Sequence, residues 1–80
     1  IHYMILEKIE QLLQEAKNMT AENAEQVEEL RLKYLSKKGA VNDLMTEFRD
    51  VPTEQKKEVG IKINELKQLV SAKINELKAQ

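Results

Sequence analysis

The stretch YLSKKGAVNDLMTEFRDVP, residues 34–52, decides how the helices of this 80-residue chain are divided. Tyr34 and Val41 are one heptad apart, so the apolar spacing continues across the polar Ser36–Gly39 segment. A loop there would have to restore the helical phase by coincidence. The spacing therefore predicts one helix over residues 23–50, about 42 Å long and kinked at Gly39. Two shorter helices joined at Ser36–Gly39 are the alternative.

Pro52 sets the next boundary. Proline lacks a backbone donor and disfavours helical geometry at the preceding residue, whereas it suits the first turn of a new helix. Apolar residues at three- and four-residue steps then predict a helix over residues 54–79. They are Val59, Ile63, Leu66, Val70, Ile74 and Leu77. Similar spacing predicts a shorter helix over residues 4–18, and Asn23 with Gln26 resembles a capping box before the second helix.

These patterns predict an all-α fold, an antiparallel helical hairpin (coiled-coil arm) of two long helices preceded by a short N-terminal helix. Two helices of similar length that are joined by a turn of a few residues pack antiparallel. We expect one domain over residues 1–80, an arm about 40 Å long, and the short helix near its open end. The buried seam of the second helix is predicted to contain Val27, Leu30, Tyr34, Val41, Leu44, Met45 and Phe48.

Composition excludes several kinds of chemistry. The chain has no cysteine, so a disulfide and a thiolate metal site are ruled out, and its single histidine, His2, cannot assemble a zinc site. No apolar run approaches the roughly 18 residues that a membrane span needs, and no signal peptide is evident. We expect a cytoplasmic protein, and no catalytic, cofactor-binding or metal-binding residue in this domain, because a narrow seam forms no closed pocket.

The net charge of −1 is distributed unevenly. Acidic residues dominate residues 1–29, whereas basic residues dominate residues 30–49. On a helical wheel, basic side chains form one row on a flank of the second helix and another along the third. Spaced Lys and Arg side chains can bind a phosphate backbone without reading sequence, and few aromatic residues are available to stack on bases. The candidate RNA-binding residues are Arg31, Lys37, Lys38, Arg49, Lys56 and Lys67.

Residues 24–70 resemble the N-terminal arm of bacterial phenylalanyl-tRNA synthetase alpha subunits. The family pattern is a Tyr-Leu-Gly-Lys-Lys-Gly block, an apolar pair that includes Met, a proline turn, and a glycine followed by Ile-Asn or Leu-Asn. Ser36 replaces the first glycine of the block. The matching residues are Tyr34, Leu35, Lys37, Lys38, Gly39, Leu44, Met45, Pro52, Gly60, Ile63 and Asn64.

This resemblance implies an arm that contacts phenylalanine-specific tRNA in an enzyme of two alpha and two beta subunits. It also implies ATP- and magnesium-dependent attachment of phenylalanine to tRNA by a class II catalytic domain that follows the arm. No motif of that catalytic domain occurs in these 80 residues, so this domain alone is expected to be non-catalytic. The alternatives are a structural or protein-interaction coiled coil, whose lysines serve solubility and register, and the long N-terminal hairpin of seryl-tRNA synthetase.

Overall fold

The computed structural model describes residues 2–79, with side chains from Met4 to Ala79, and these residues form four α-helices. The helices are α1 (His2–Lys17), α2 (Ala24–Leu35), α3 (Ala40–Phe48) and α4 (Thr53–Lys78). The molecule is elongated, with principal extents of 42 × 20 × 16 Å. The 26 residues of α4 make a rod of about 39 Å, so this helix spans nearly the whole length. Within the described residues, no helix is both long enough and apolar enough to cross a membrane.

The prediction of one helix over residues 23–50 is wrong, because the chain leaves the helical path between α2 and α3. Ser36 and Gly39 are both extended, with ψ angles of 171° and 172°. The turn between them is closed by the Gly39 N–H, which donates to the Ser36 carbonyl oxygen at 2.9 Å. Tyr34 and Val41 are nevertheless both buried. The turn therefore restores the apolar phase that a continuous helix would also have provided.

Gly39 is required in this turn by space rather than by an unusual backbone angle. Its φ of −83° is open to any residue. However, a Cβ atom at this position would lie 2.8 Å from the carbonyl carbon of Tyr34 and 3.0 Å from the carbonyl oxygen of Lys33. The start of α3 thus packs directly on the last turn of α2. This close approach is the physical reason for a glycine between two helices.

Helix α1 lies along the molecule against α4 and α3, and the expectation that it packs near the open end of a hairpin is wrong. Lys8 forms an ion pair of 2.5 Å with Glu47, which is next to the last residue of α3. Farther along α1, Glu15 lies 3.7 Å from the Lys33 ammonium and 3.4 Å from the Tyr34 hydroxyl. These contacts align α1 with the end of α3 and the end of α2.

The hydrophobic core is one continuous cluster to which every helix contributes. Burial on α4 follows the predicted stripe, since Val59, Leu66 and Val70 are completely buried. On α3 the prediction is partly wrong, because Leu44 is buried but Met45 is 47% exposed. Met45 therefore lies at the surface instead of in the seam.

Local signals set the other helix boundaries as the sequence indicates. The Asn23 side chain accepts a hydrogen bond from the Gln26 N–H at 2.9 Å and caps α2. The Gln26 side chain in turn accepts from the Glu22 N–H at 2.8 Å, one residue earlier than in the usual capping box. Pro52 directly precedes α4, and its carbonyl oxygen accepts from the Lys56 N–H at 3.1 Å.

Candidate nucleic-acid interface

A groove runs between α4 and the segment formed by the 36–39 turn and α3. We call it the α3–α4 groove. It consists of two adjoining concavities of about 320 and 230 Å³, which share Val41, Met45 and Lys67. None of the described residues that line it is acidic. The lining residues are Leu35, Ser36, Lys37, Val41, Asn42, Met45, Phe48, Gly60, Ile63, Asn64, Lys67 and Ser71.

The turn between α2 and α3 places Lys37 at one wall of this groove. The Asn42 side-chain amide donates to the Lys37 carbonyl oxygen at 2.7 Å, which ties the turn to the first turn of α3. On the other side, the Ser36 hydroxyl donates to the Leu32 carbonyl oxygen at 2.6 Å and closes the end of α2. The Lys37 backbone is therefore fixed, while its exposed side chain is free to meet a ligand.

Lys67 and Lys56 approach the same groove from α4. Lys67 is exposed and lines both concavities. Lys56 is half-buried, and its ammonium lies 5.4 Å from the centre of the Phe48 ring, which forms part of the groove wall. A cation at this distance is attracted to the face of an aromatic ring. Of the six predicted residues, Lys37 and Lys67 thus line the groove, and Lys56 lies at its edge.

The other three candidates lie outside this groove. Arg31 is held on α2 by Glu28, to which its Nε donates at 3.1 Å. This hydrogen bond lowers the pKa of Glu28 and raises that of Arg31. The charge of Arg31 is therefore already partnered within the domain. Lys38 and Arg49 are exposed, one in the 36–39 turn and the other directly after α3. The predicted row of Arg31, Lys38 and Arg49 required an unbroken helix, which the structure does not have.

Two larger concavities carry acidic side chains and are poorer candidates for a polyanion. The concavity between the start of α2 and the end of α4, about 530 Å³, is lined by Glu22 and Glu28 together with Lys78. The concavity between α1 and α3, about 520 Å³, is lined by Asp43 and Glu47 together with Lys8. Since like charges repel a phosphate backbone, the α3–α4 groove is the most favourable of these surfaces for RNA.

The amino-acid sequence matches a known protein family. Residues 22–80 match the family described as "Aminoacyl tRNA synthetase class II, N-terminal domain". The chain belongs to this family. The match begins just before α2 and includes both walls of the α3–α4 groove. No solved structure matches the chain.

Individual relatives of this synthetase N-terminal domain are named phenylalanine–tRNA ligase alpha subunit. The protein from Phocaeicola vulgatus is 62% identical over 74 residues, which cover 92% of this chain and 22% of the relative. The protein from Bacteroides thetaiotaomicron is 60% identical over 76 residues, which cover 95% of this chain and 22% of the relative. The chain thus spans about a fifth of the length of these relatives. The resemblance carried by the YLSKKG block is confirmed.

The polar lining of the groove in this synthetase domain was not among the predicted site residues. Asn42, Asn64 and Ser71 lie beside Lys37 or Lys67. Asn64, Lys67 and Ser71 follow one another at three- and four-residue spacing, so the sequence placed them on one face of α4. Helical spacing does not predict the position of Asn42, because it depends on the non-helical 36–39 turn.

Proposed function

We propose that this domain is the tRNA-contacting arm of a phenylalanine–tRNA ligase alpha subunit. In this proposal the parent enzyme is a cytoplasmic assembly of two alpha and two beta subunits that attaches phenylalanine to its tRNA. The family match over residues 22–80 carries the proposal, and the relatives of that name support it. The 80-residue domain is non-catalytic and supplies binding contacts.

ATP and magnesium belong, in this proposal, to the catalytic domain that follows the arm in that family. Among the described residues, no three His, Cys, Asp or Glu side chains are placed to hold a metal ion.

The arm itself is proposed to be a helical hairpin in which α2 and α3 together form one side and α4 the other. Two contacts support the antiparallel arrangement. Near the turn between α3 and α4, Gly60 of α4 faces the Phe48 ring of α3, and a Cβ atom at Gly60 would lie 3.6 Å from the ring. Near the other end, Val27 and Glu28 of α2 line the same concavity as Leu77 and Lys78 of α4. The late part of α4 thus lies beside the early part of α2.

The α3–α4 groove is proposed to hold the sugar-phosphate backbone of the tRNA. Lys37 and Lys67 stand on its two walls, so a strand in the groove would meet a cation from each side. Binding would release counterions from the phosphates, which adds affinity without selecting a base. Lys56 and Phe48 extend the same surface toward the turn between α3 and α4. Arg31, Lys38 and Arg49 are proposed as peripheral contacts, because they lie outside the groove.

The test is tRNA binding by the complete alpha–beta enzyme with Lys37 and Lys67 both changed to Ala. We expect weaker binding and a salt dependence, measured as the slope of log K against log salt, that is shallower by about 1.5. The matched control is Lys62→Ala. Lys62 is five residues before Lys67 on the same helix, which is a rotation of about 140°, and it pairs with Glu65 at 3.8 Å.

An unchanged salt slope in a folded Lys37→Ala/Lys67→Ala enzyme would contradict the proposed groove. A changed subunit assembly with normal tRNA binding would instead support a protein-interaction surface. Native mass measured by light scattering separates these two outcomes.

A further inference from the structure

The outer face of α4 carries an uncharged stripe that the core does not use. With Val59 at zero and about 100° per residue, Asn64, Gln68 and Asn75 lie at about +140°, 180° and +160°. All three are exposed, and the exposed Lys57 precedes them on the same face, at about +160°. The stripe is about 17 Å long from Asn64 to Asn75, at about 1.5 Å per residue. We call these three residues the amide stripe.

Charged residues border the amide stripe on both sides, with opposite signs. Three exposed carboxylates lie at about −100° to −120°, and three lysines lie at about +60° to +100°. The carboxylates are Glu58, Glu65 and Glu76, and the lysines are Lys56, Lys67 and Lys78. Since 34% of the chain is charged, an uncharged stripe between two charged rows is a distinct surface. The lysine side of this surface is continuous with the α3–α4 groove, because Asn64 and Lys67 both line it.

Helix stability does not explain the amides. Asn and, to a smaller degree, Gln are weaker helix formers than Ala, and exposed positions leave this preference without compensation from packing. The buried side of α4, including Val59, Leu66 and Val70, already supplies its tertiary contacts. The three amides therefore weaken an exposed helix without contributing to its core, which points to a ligand.

We propose that the amide stripe contacts the ribose 2′-hydroxyl groups of an RNA strand whose phosphates are held by Lys37 and Lys67. This inference rests on the proposed function and adds a discrimination between RNA and DNA. A carboxamide has both a donor and an acceptor, and a 2′-hydroxyl likewise donates and accepts. The lysine row attracts the phosphates, while the glutamate row beyond the stripe repels them. The strand therefore lies along the α4 edge of the groove, where Asn64 lines it, with its riboses over Asn64, Gln68 and Asn75.

The composition of the stripe favours RNA over a protein partner. The centre of a protein interface is enriched in large apolar and aromatic side chains. Near this stripe the large exposed apolar residue is Ile61, at 52% exposure. Amides beside a basic groove are instead the polar, positively flanked surface that RNA backbones require.

The experiment uses the complete alpha–beta enzyme and two probes, a phenylalanine tRNA transcript and the same sequence made of DNA. The variant is Asn64→Ala/Gln68→Ala/Asn75→Ala. We expect its affinity for the transcript to fall by at least about fivefold, which is the scale of one or two lost hydrogen bonds. Its affinity for the DNA version and its salt slope should stay unchanged, since no charge is removed. Alanine raises helix propensity, so the variant keeps its fold. The control is Gln11→Ala, an exposed amide on α1.

Each outcome separates this inference from the proposed function. If Lys37→Ala/Lys67→Ala flattens the salt slope but the triple variant binds both probes normally, the amide stripe is overturned and the groove stands. An equal loss of affinity for RNA and DNA also overturns it, because the ribose is then not read. If the triple variant instead loses subunit assembly, the stripe is a protein contact. If neither variant affects tRNA binding, the proposed function fails as well.

Discussion

The substitution Gly39→Ala tests the division between α2 and α3 most directly. The added Cβ would lie 2.8 Å from the Tyr34 carbonyl carbon, 2.9 Å from the Tyr34 carbonyl oxygen and 3.0 Å from the Lys33 carbonyl oxygen. All three atoms belong to the backbone of α2 and cannot rotate away. The last turn of α2 or the start of α3 must therefore move.

The expected loss of stability follows from two opposing effects. Overpacking of this kind typically costs about 1–3 kcal/mol. Alanine also restricts the unfolded chain, which returns about 0.4–1 kcal/mol. We therefore expect Gly39→Ala to lower the free energy of unfolding by about 1.3 kcal/mol, estimated from the midpoints of these ranges. In a chain of this size, each 1 kcal/mol lowers Tm by about 4–8 °C.

Gly60→Ala is the matched control, since the same methyl group is added where there is room. Its Cβ would lie 3.6 Å from two carbon atoms of the Phe48 ring, an ordinary contact, inside the continuous helix α4. Replacing a helical glycine should stabilise the protein by about 0.5–1 kcal/mol. Urea unfolding of the 80-residue chain, followed by circular dichroism at 222 nm, measures both variants. A stabilised Gly39→Ala protein would refute the close approach and support one helix over residues 23–50.

Three further predictions concern the core, a cap and a buried hydroxyl. Leu66→Ala should lower the free energy of unfolding by about 2–5 kcal/mol because Leu66 is completely buried. The control Leu32→Ala, at a residue that is 48% exposed, should change this free energy by only about 0.5 kcal/mol. Equal effects of the two substitutions in urea unfolding would argue against the described core. Asn23→Ala should cost about 1 kcal/mol by removing the bond from the Gln26 N–H, whereas Asn23→Ser should be nearly neutral in the same assay; a neutral alanine variant would mean that the cap does not form in solution. Burial raises the pKa of the Tyr34 hydroxyl, and the nearby Lys33 charge partly offsets this effect. The stability that the neutral hydroxyl contributes is therefore present below the ordinary pKa of about 10 and is lost as the pH rises through the higher folded value. The stability difference between wild type and Tyr34→Phe should shrink above about pH 10, and a difference that does not vary with pH would count against a buried hydroxyl.

The fold could be predicted wherever periodicity was the controlling signal. The apolar stripe of α4 continues without interruption, and its bounds, Thr53–Lys78, lie within one residue of the predicted 54–79. The break at residues 36–39 could not be deduced in the same way, because a four-residue turn closed by the Gly39–Ser36 hydrogen bond restores the phase of a heptad. Periodicity indicates only that apolar residues face the core both before and after residues 36–39. It does not record the path of the backbone between them.

The candidate site shows the same division between local and tertiary information. On α4, Lys56 and Lys67 lie on one side because an unbroken helix fixes the angle between them. Across the 36–39 turn a helical wheel has no meaning, so Arg31 and Arg49 do not share a row. Lys37 reaches the groove because the turn projects it there, opposite Lys67, from a different part of the chain. A pair of cations on two walls is a tertiary feature, and it depends on the glycine that allows α3 to begin against the backbone of α2.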